Sequence, residues 1–160
     1  LCLAEAGATT RCVAERQLEP AIAAEPGLLT MICGANDVIG SVRPRIDEVV
    51  TRLGSIWSAL RAGLPSTPML TGTYPPLAPR SLGPRSRVRI ERGLEELNEG
   101  VRGLAREHGL LCVELAGHPG ESDPRNFAAD GLHPSPAGHV EAAATLVPAI
   151  RSLIDEEVRE

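Results

Sequence analysis

Two residues toward the carboxyl terminus have the types and spacing for proton transfer. In Asp130-x-x-His133-Pro134 a carboxylate stands three residues before an imidazole. Such a carboxylate can take the Nδ1 proton, fix the ring's tautomer and leave Nε2 as a general base. Pro134 drives His133 out of helical geometry, so the ring sits on a stiff loop just ahead of a helix, and Gly131 permits a tight path between the pair. The same residues could instead cap that helix or face solvent. A second group, Gly34-Ala35-Asn36-Asp37, follows an apolar run. A carboxamide at a strand's end can stabilise a developing oxyanion; the competing reading is an Asx-type turn into a helix, with Asp37 in turn or capping work either way. Third, Ala6-Gly7-Ala8-Thr9-Thr10 offers a backbone N–H at Gly7 near a helix start, or simply a turn glycine and a Thr cap.

These groups need elements to position them. Leu28–Cys33, Thr67–Tyr74 and Leu110–Leu115 read as strands, and the first and third are near-continuously apolar, as in a parallel sheet covered on both faces. Helical stripes lie between them. Ile46, Val49, Val50, Leu53, Ile56, Trp57 and Leu60 form one; Ile90, Leu94, Leu97, Val101, Leu104 and Ala105 form the next. A last helix should start at Ser135 as N-cap with Pro136 in its first turn. It should bury Val140, Ala143, Ala144, Val147, Ile150 and Ile154, and be kinked or split at Pro148. Thr10–Glu25 should be helical in two pieces, with Pro20 opening the second. Tyr74–Arg87 and Ala116–Gly131 read as loops, and Leu1-Cys2-Leu3 as the remnant of a strand. Helices and strands alternating in this way predict an α/β fold, a three-layer α/β/α sandwich with a parallel sheet. In such sheets sites gather at the carboxyl ends of the strands, where the first two polar groups fall.

Composition bounds the function. The 160 residues suit one domain spanning residues 1–160. Sixteen basic residues, all Arg, against 21 acidic ones give −5, without the basic footprint of a nucleic-acid binder. Trp57, Tyr74 and Phe127 are the only aromatics, so stacking platforms for bases or sugars are nearly excluded. No apolar run is long enough to span a bilayer, and no signal peptide is visible. Cys2, Cys12, Cys33 and Cys112 form no C-x-x-C pair; they read as free thiols, which tilts the compartment toward the cytoplasm. No cofactor is called for.

Taken in order, the three polar groups resemble the SGNH (GDSL-type) hydrolases, serine esterases and lipases with a flavodoxin-like fold. The resemblance runs from Cys2 to about Ile154. Leu3–Thr10 is similar to the family's second block, with Gly7 as its glycine; Gly34-Ala35-Asn36-Asp37 matches the third block, G-x-N-D; and Asp130–Pro134 matches the fifth, D-x-x-H-P. The resemblance implies His133 as general base, Asp130 as its orienter, and the Gly7 N–H and Asn36 amide as oxyanion donors. It implies a small-molecule ester as substrate.

The family's first block, which carries the nucleophilic Ser, has no counterpart here. Ser41, Ser55, Ser58, Ser66, Ser81, Ser86, Ser122, Ser135 and Ser152 lie in helices, turns or loops without its context. The expectation is therefore a chain that is N-terminally incomplete, lacks its nucleophile and is inactive alone. The family's first strand lies between its second and third. Without it the Leu28–Cys33 strand would keep an unpaired edge, open to self-association. Three alternatives stand beside this one. A non-catalytic relative could use the same cleft for binding. A metal-dependent hydrolase could use Asp123, Asp130, His133 and His139, with His118, although their spacing fits no compact ligand signature. Cys33 could serve as nucleophile, although its apolar strand disfavours a thiolate.

Overall fold

A computed structural model describes residues 1–121 and 123–157. The sheet has three parallel strands, β1 (Leu29–Thr30), β2 (Met69–Gly72) and β3 (Leu111–Val113), in the order β1-β2-β3. Leu29 stands opposite Met69, and Leu70 opposite Leu111. Each strand is shorter than its apolar run. Among the described residues β1 pairs on one side only, and the ladder takes in Leu29 and Thr30 of its run. Leu1–Leu3 joins no strand.

Among the described residues the α-helices are α1 (Thr10–Cys12), α2 (Leu18–Ala23), α3 (Ala35–Ile39), α4 (Ile46–Gly63), α5 (Pro84–His108) and α6 (Pro136–Glu157). The stripes of α4 and α5 are as expected. Val49, Leu53, Ile56, Trp57 and Leu60 on α4 are buried, as are Ile90, Leu94, Leu97, Val101, Leu104 and Ala105 on α5. The two helices pack on each other, and α5 packs on β2 and β3. With Met69 of β2 these side chains form the core.

Four local expectations need correction. The Thr10–Ala23 stretch stays helical through Pro20. Two α-helical pieces are present, as expected, but the second opens at Leu18 rather than Pro20. A π-turn at Val13–Gln17 joins them, the Leu18 N–H reaching back to the Val13 carbonyl, and Pro20 falls in the first turn of the second piece. α5 starts at Pro84 rather than after Arg87, because Pro is pre-set for the first helical position. α6 runs unbroken through Pro148; the proline is on the exposed face, where water can satisfy the carbonyl it leaves unpaired. The predicted buried side of α6 is also misplaced. Val140 is 68% exposed, and Ala143, Ala144, Val147 and Ile154 are exposed too, with Ile150 half-buried. α6 packs on β3 and on a 3₁₀ turn at Pro124–Asn126, and the exposed residues lie on the rest of its surface. No helix among the described residues is long and apolar enough to cross a membrane.

Candidate active site

The loop ahead of α6 folds back on itself. Phe127 and Pro134 form an antiparallel bridge, the Ala128 N–H donates to the His133 carbonyl at 2.8 Å, and the Gly131 N–H donates to the Ala128 carbonyl at 2.9 Å. Gly131 has φ +71°, a left-handed conformation that favours glycine. Inside this turn Asp130 Oδ2 lies 2.6 Å from His133 Nδ1, while Oδ1 accepts the Leu132 and His133 backbone N–H groups at 2.9 and 3.1 Å. A carboxylate only accepts, so this contact puts the proton on Nδ1. Hydrogen bonds from the His133 ring and from the two backbone amides hold the Asp130 carboxyl down at about 2. The His133 side chain is 73% exposed, and its Nε2 has no hydrogen-bond partner among the described residues. Ser135 caps α6 as expected, its Oγ accepting the Gly138 N–H at 3.2 Å.

The second half of the site lies where β1 runs into α3. Gly34, at φ +126°, makes the bend, and a Cβ there would come within 3.1 Å of Leu97 Cδ2. Asn36 Nδ2 donates to the Ala8 carbonyl at 2.9 Å. A carboxamide has two N–H donors, so one remains for another acceptor. Gly7 has φ +76°, and its N–H has no acceptor among the described residues. Thr9 Oγ1 caps α1 by accepting the Cys12 N–H at 3.4 Å.

Asp37 does more than turn work. Its Oδ2 accepts the Thr10 N–H and its Oδ1 the Thr10 hydroxyl, both at 2.8 Å. Arg52 of α4 donates to Thr10 Oγ1 at 2.9 Å. These bonds join the Gly7 loop to the Asn36 turn. Sequence reading missed Thr10 and Arg52, whose only local signal was a Thr beside a cap.

The Asn36 turn follows the carboxyl end of β1, and the Asp130–His133 turn lies on the segment between β3 and α6. The loop leaving β2 links them. Tyr74, whose pKa is raised by burial, lines the same cavity wall as Gly34, Ala35 and Asn36. Further along, the Arg80 N–H donates to the Asp130 carbonyl at 2.8 Å. Asn98 holds the loop's root, exchanging two 2.8 Å bonds with the Tyr74 backbone.

The alternatives fare differently. Asp123 is ion-paired with Arg125 at 2.6 Å, and His118 Nδ1 accepts the Gly120 N–H. Among the described residues no group of three or more His, Cys, Asp or Glu could hold a metal ion, so the five proposed ligands are not gathered. Burial, with Asp37 nearby, pushes the Cys33 thiol up to about 12, which keeps it protonated. Ser55, Ser58, Ser86 and Ser152 are on helices, Ser66 and Ser81 in turns and Ser41 in irregular chain; Ser122 lies outside the described residues.

Solved structures share this fold. A lipase/acylhydrolase from Enterococcus faecalis superposes with a TM-score of 0.73 at 21% identity, over 91% of this chain and 72% of its own. The acetylxylan esterase Axe2 from Geobacillus stearothermophilus gives 0.72 at 22% identity, over 90% and 68%. Phospholipase A1 from Streptomyces albidoflavus gives 0.65 at 20% identity, over 94% and 78%. No curated protein matches the chain. Residues 2–140 match the GDSL-like Lipase/Acylhydrolase family, and the chain belongs to that family.

Proposed function

We infer that this chain supplies the base and the oxyanion donors of a serine esterase acting on carboxylic esters. The observation that carries the reading is the 2.6 Å contact between His133 Nδ1 and Asp130, with Nε2 left open. In the reaction a serine hydroxyl attacks the ester carbonyl and gives its proton to Nε2, while Asp130 stabilises the imidazolium that forms. The charge developing on the carbonyl oxygen is met by the Gly7 N–H and the second Asn36 N–H. Nε2 returns the proton to the departing alcohol, and water, activated by the same nitrogen, releases the acyl-enzyme.

None of the described serines directly follows a strand, as this step needs, and Ser135 caps α6, so the reading takes the hydroxyl from outside these residues. A cavity of about 460 Å³ along β1 supports that view. It runs between β1 and the Val13–Ala21 segment, and Ala8 and Asn36 lie on its wall. Leu29 and Met31 turn their N–H groups toward the β2 side, so by strand alternation Thr30 and Ile32 direct theirs into the cavity. Gln17, also on the wall, has a buried Nε2 without a partner among the described residues. An extended segment pairing there in parallel would end beside Asn36 and could present a serine.

The test is hydrolysis of p-nitrophenyl acetate by the chain alone and by the chain fused at Leu1 to a strand-forming segment ending in Gly-Asp-Ser. The fusion should be active and the chain alone near background. Equal rates would overturn the account of the nucleophile. In the active form His133→Ala should lower kcat by several orders of magnitude, because triad members act as a unit.

A further inference from the structure

Arg80 stands beside the Asp130–His133 pair with its charge unused. Its backbone N–H holds the Asp130 carbonyl at 2.8 Å. Its side chain then lies across Gly131: a Cβ on Gly131 would fall 2.5 Å from Arg80 Cγ and 3.0 Å from its Nε. Gly131 thus makes room for the arginine stem between the two residues of the pair. The guanidinium is exposed and makes no ion pair or hydrogen bond with any described residue.

Arg11, Arg43, Arg106 and Arg151 also lack a side-chain partner among the described residues, but they lie away from the Asp130–His133 turn in sequence, and Arg80 alone among these arginines touches it. Arg16, Arg45, Arg92, Arg102 and Arg125 are each paired with a carboxylate. Residues 75–90, by contrast, contain no Asp or Glu in a chain of net charge −5. Arg85 and Arg87, in the first turns of α5, make no side-chain bond to a described residue either. Cations at a helix's positive end work against its dipole, so their position costs stability. α5 follows β2 through this loop, so Arg85 and Arg87 come within seven residues of the Arg80 that touches Gly131.

We propose that Arg80 binds a carboxylate or phosphate carried by the ester substrate, so that the site selects anionic esters over neutral ones. This deepens the esterase reading and rests on it for the word substrate. A guanidinium holds either oxyanion through two parallel N–H bonds. Arg85 and Arg87 add attraction that draws such an ester toward Arg80. The loop's prolines, at positions 75, 76 and 79, and the Asn98 clamp at its root hold the arginine ready before the ligand arrives.

The test needs no turnover. The 15N-labelled chain is titrated with inorganic phosphate, with monomethyl succinate, which carries both an ester and a carboxylate, and with neutral methyl acetate. The Gly131 and His133 amides and Arg80 Nε are followed by NMR. The two anions should give saturable shifts, with methyl acetate at least tenfold weaker. Arg80→Gln should weaken anion binding at least tenfold, and Arg80→Lys should weaken it less. Arg106→Gln, at the far end of α5, should leave it unchanged, and unaltered dispersion elsewhere in the spectra confirms folding. No saturable shift, equal binding of neutral and anionic esters, or undiminished binding by Arg80→Gln would overturn the proposal. So would binding to phosphatidylglycerol vesicles without binding to the soluble anions. Because no step of catalysis is read, a failed hydrolysis assay leaves this result standing, and the converse also holds.

Discussion

Removing the Asp37 carboxylate should cost far more stability than its place in a short turn implies. Asp37 accepts two hydrogen bonds from Thr10, at 2.8 Å each, and its side chain is 11% exposed. Thr10 is fully buried. A hydrogen bond to a charged group contributes about 1.5–3 kcal/mol, and a buried donor left unpaired costs about 1–3 kcal/mol. Asp37→Ala strands the Thr10 N–H and leaves the Arg52 guanidinium without the carboxylate 3.9 Å away. Recovered hydration of the lost charge offsets part of this, so the net expectation is a loss of about 3–4 kcal/mol. Thr10→Val removes only the hydroxyl and should cost about 1–2 kcal/mol. The double variant should fall short of additivity by about 1 kcal/mol, since the two share one bond. Equilibrium unfolding in urea measures all three. A loss below about 1 kcal/mol for Asp37→Ala would refute the reasoning, because Thr10 would then have found another acceptor.

Other perturbations test the remaining supports. The Asp130 carboxyl, held at about 2 by His133 and two amides, should titrate by 13C NMR well below an ordinary aspartate. Its folded pKa lies below its unfolded value, so its contribution is present above about pH 4 and is lost as pH falls toward 2; a midpoint near 4 would contradict the geometry. Asn98→Leu removes both partners of the Tyr74 backbone and should cost about 2–4 kcal/mol in the same unfolding experiment. The β1 edge and the exposed apolar face of α6 should make the isolated chain self-associate, with light scattering giving a mass that rises with concentration. A single monomeric species melting cooperatively would count against this.

Local pattern was enough for much of the fold. The stripes of α4 and α5 follow from spacing alone, because each has one apolar face and one obvious place to bury it. α6 has small and apolar residues on several sides, so spacing could not say which strip meets β3; Val140 and Val147 are exposed as a result. The site divides in the same way. Asp130 and His133 are three residues apart, and their contact is written into one turn. The Thr10–Asp37 bond spans 27 positions and the Arg52–Thr10 bond spans 42. Arg80 meets Gly131 from the loop after another strand. Such pairings depend on how the helices dock, which no window of sequence contains.

The bridge between Phe127 and Pro134 has a consequence for how this protein can change over time. Everything that aims the imidazole at the carboxylate is contained in eight consecutive residues that fasten to themselves. Insertions between Glu114 and Asp123 can therefore reshape the mouth of the cleft while the proton-transfer unit keeps its internal alignment. A designer could transplant the clip as a cassette, with the backbone bond from the Arg80 loop as its one docking point to that loop.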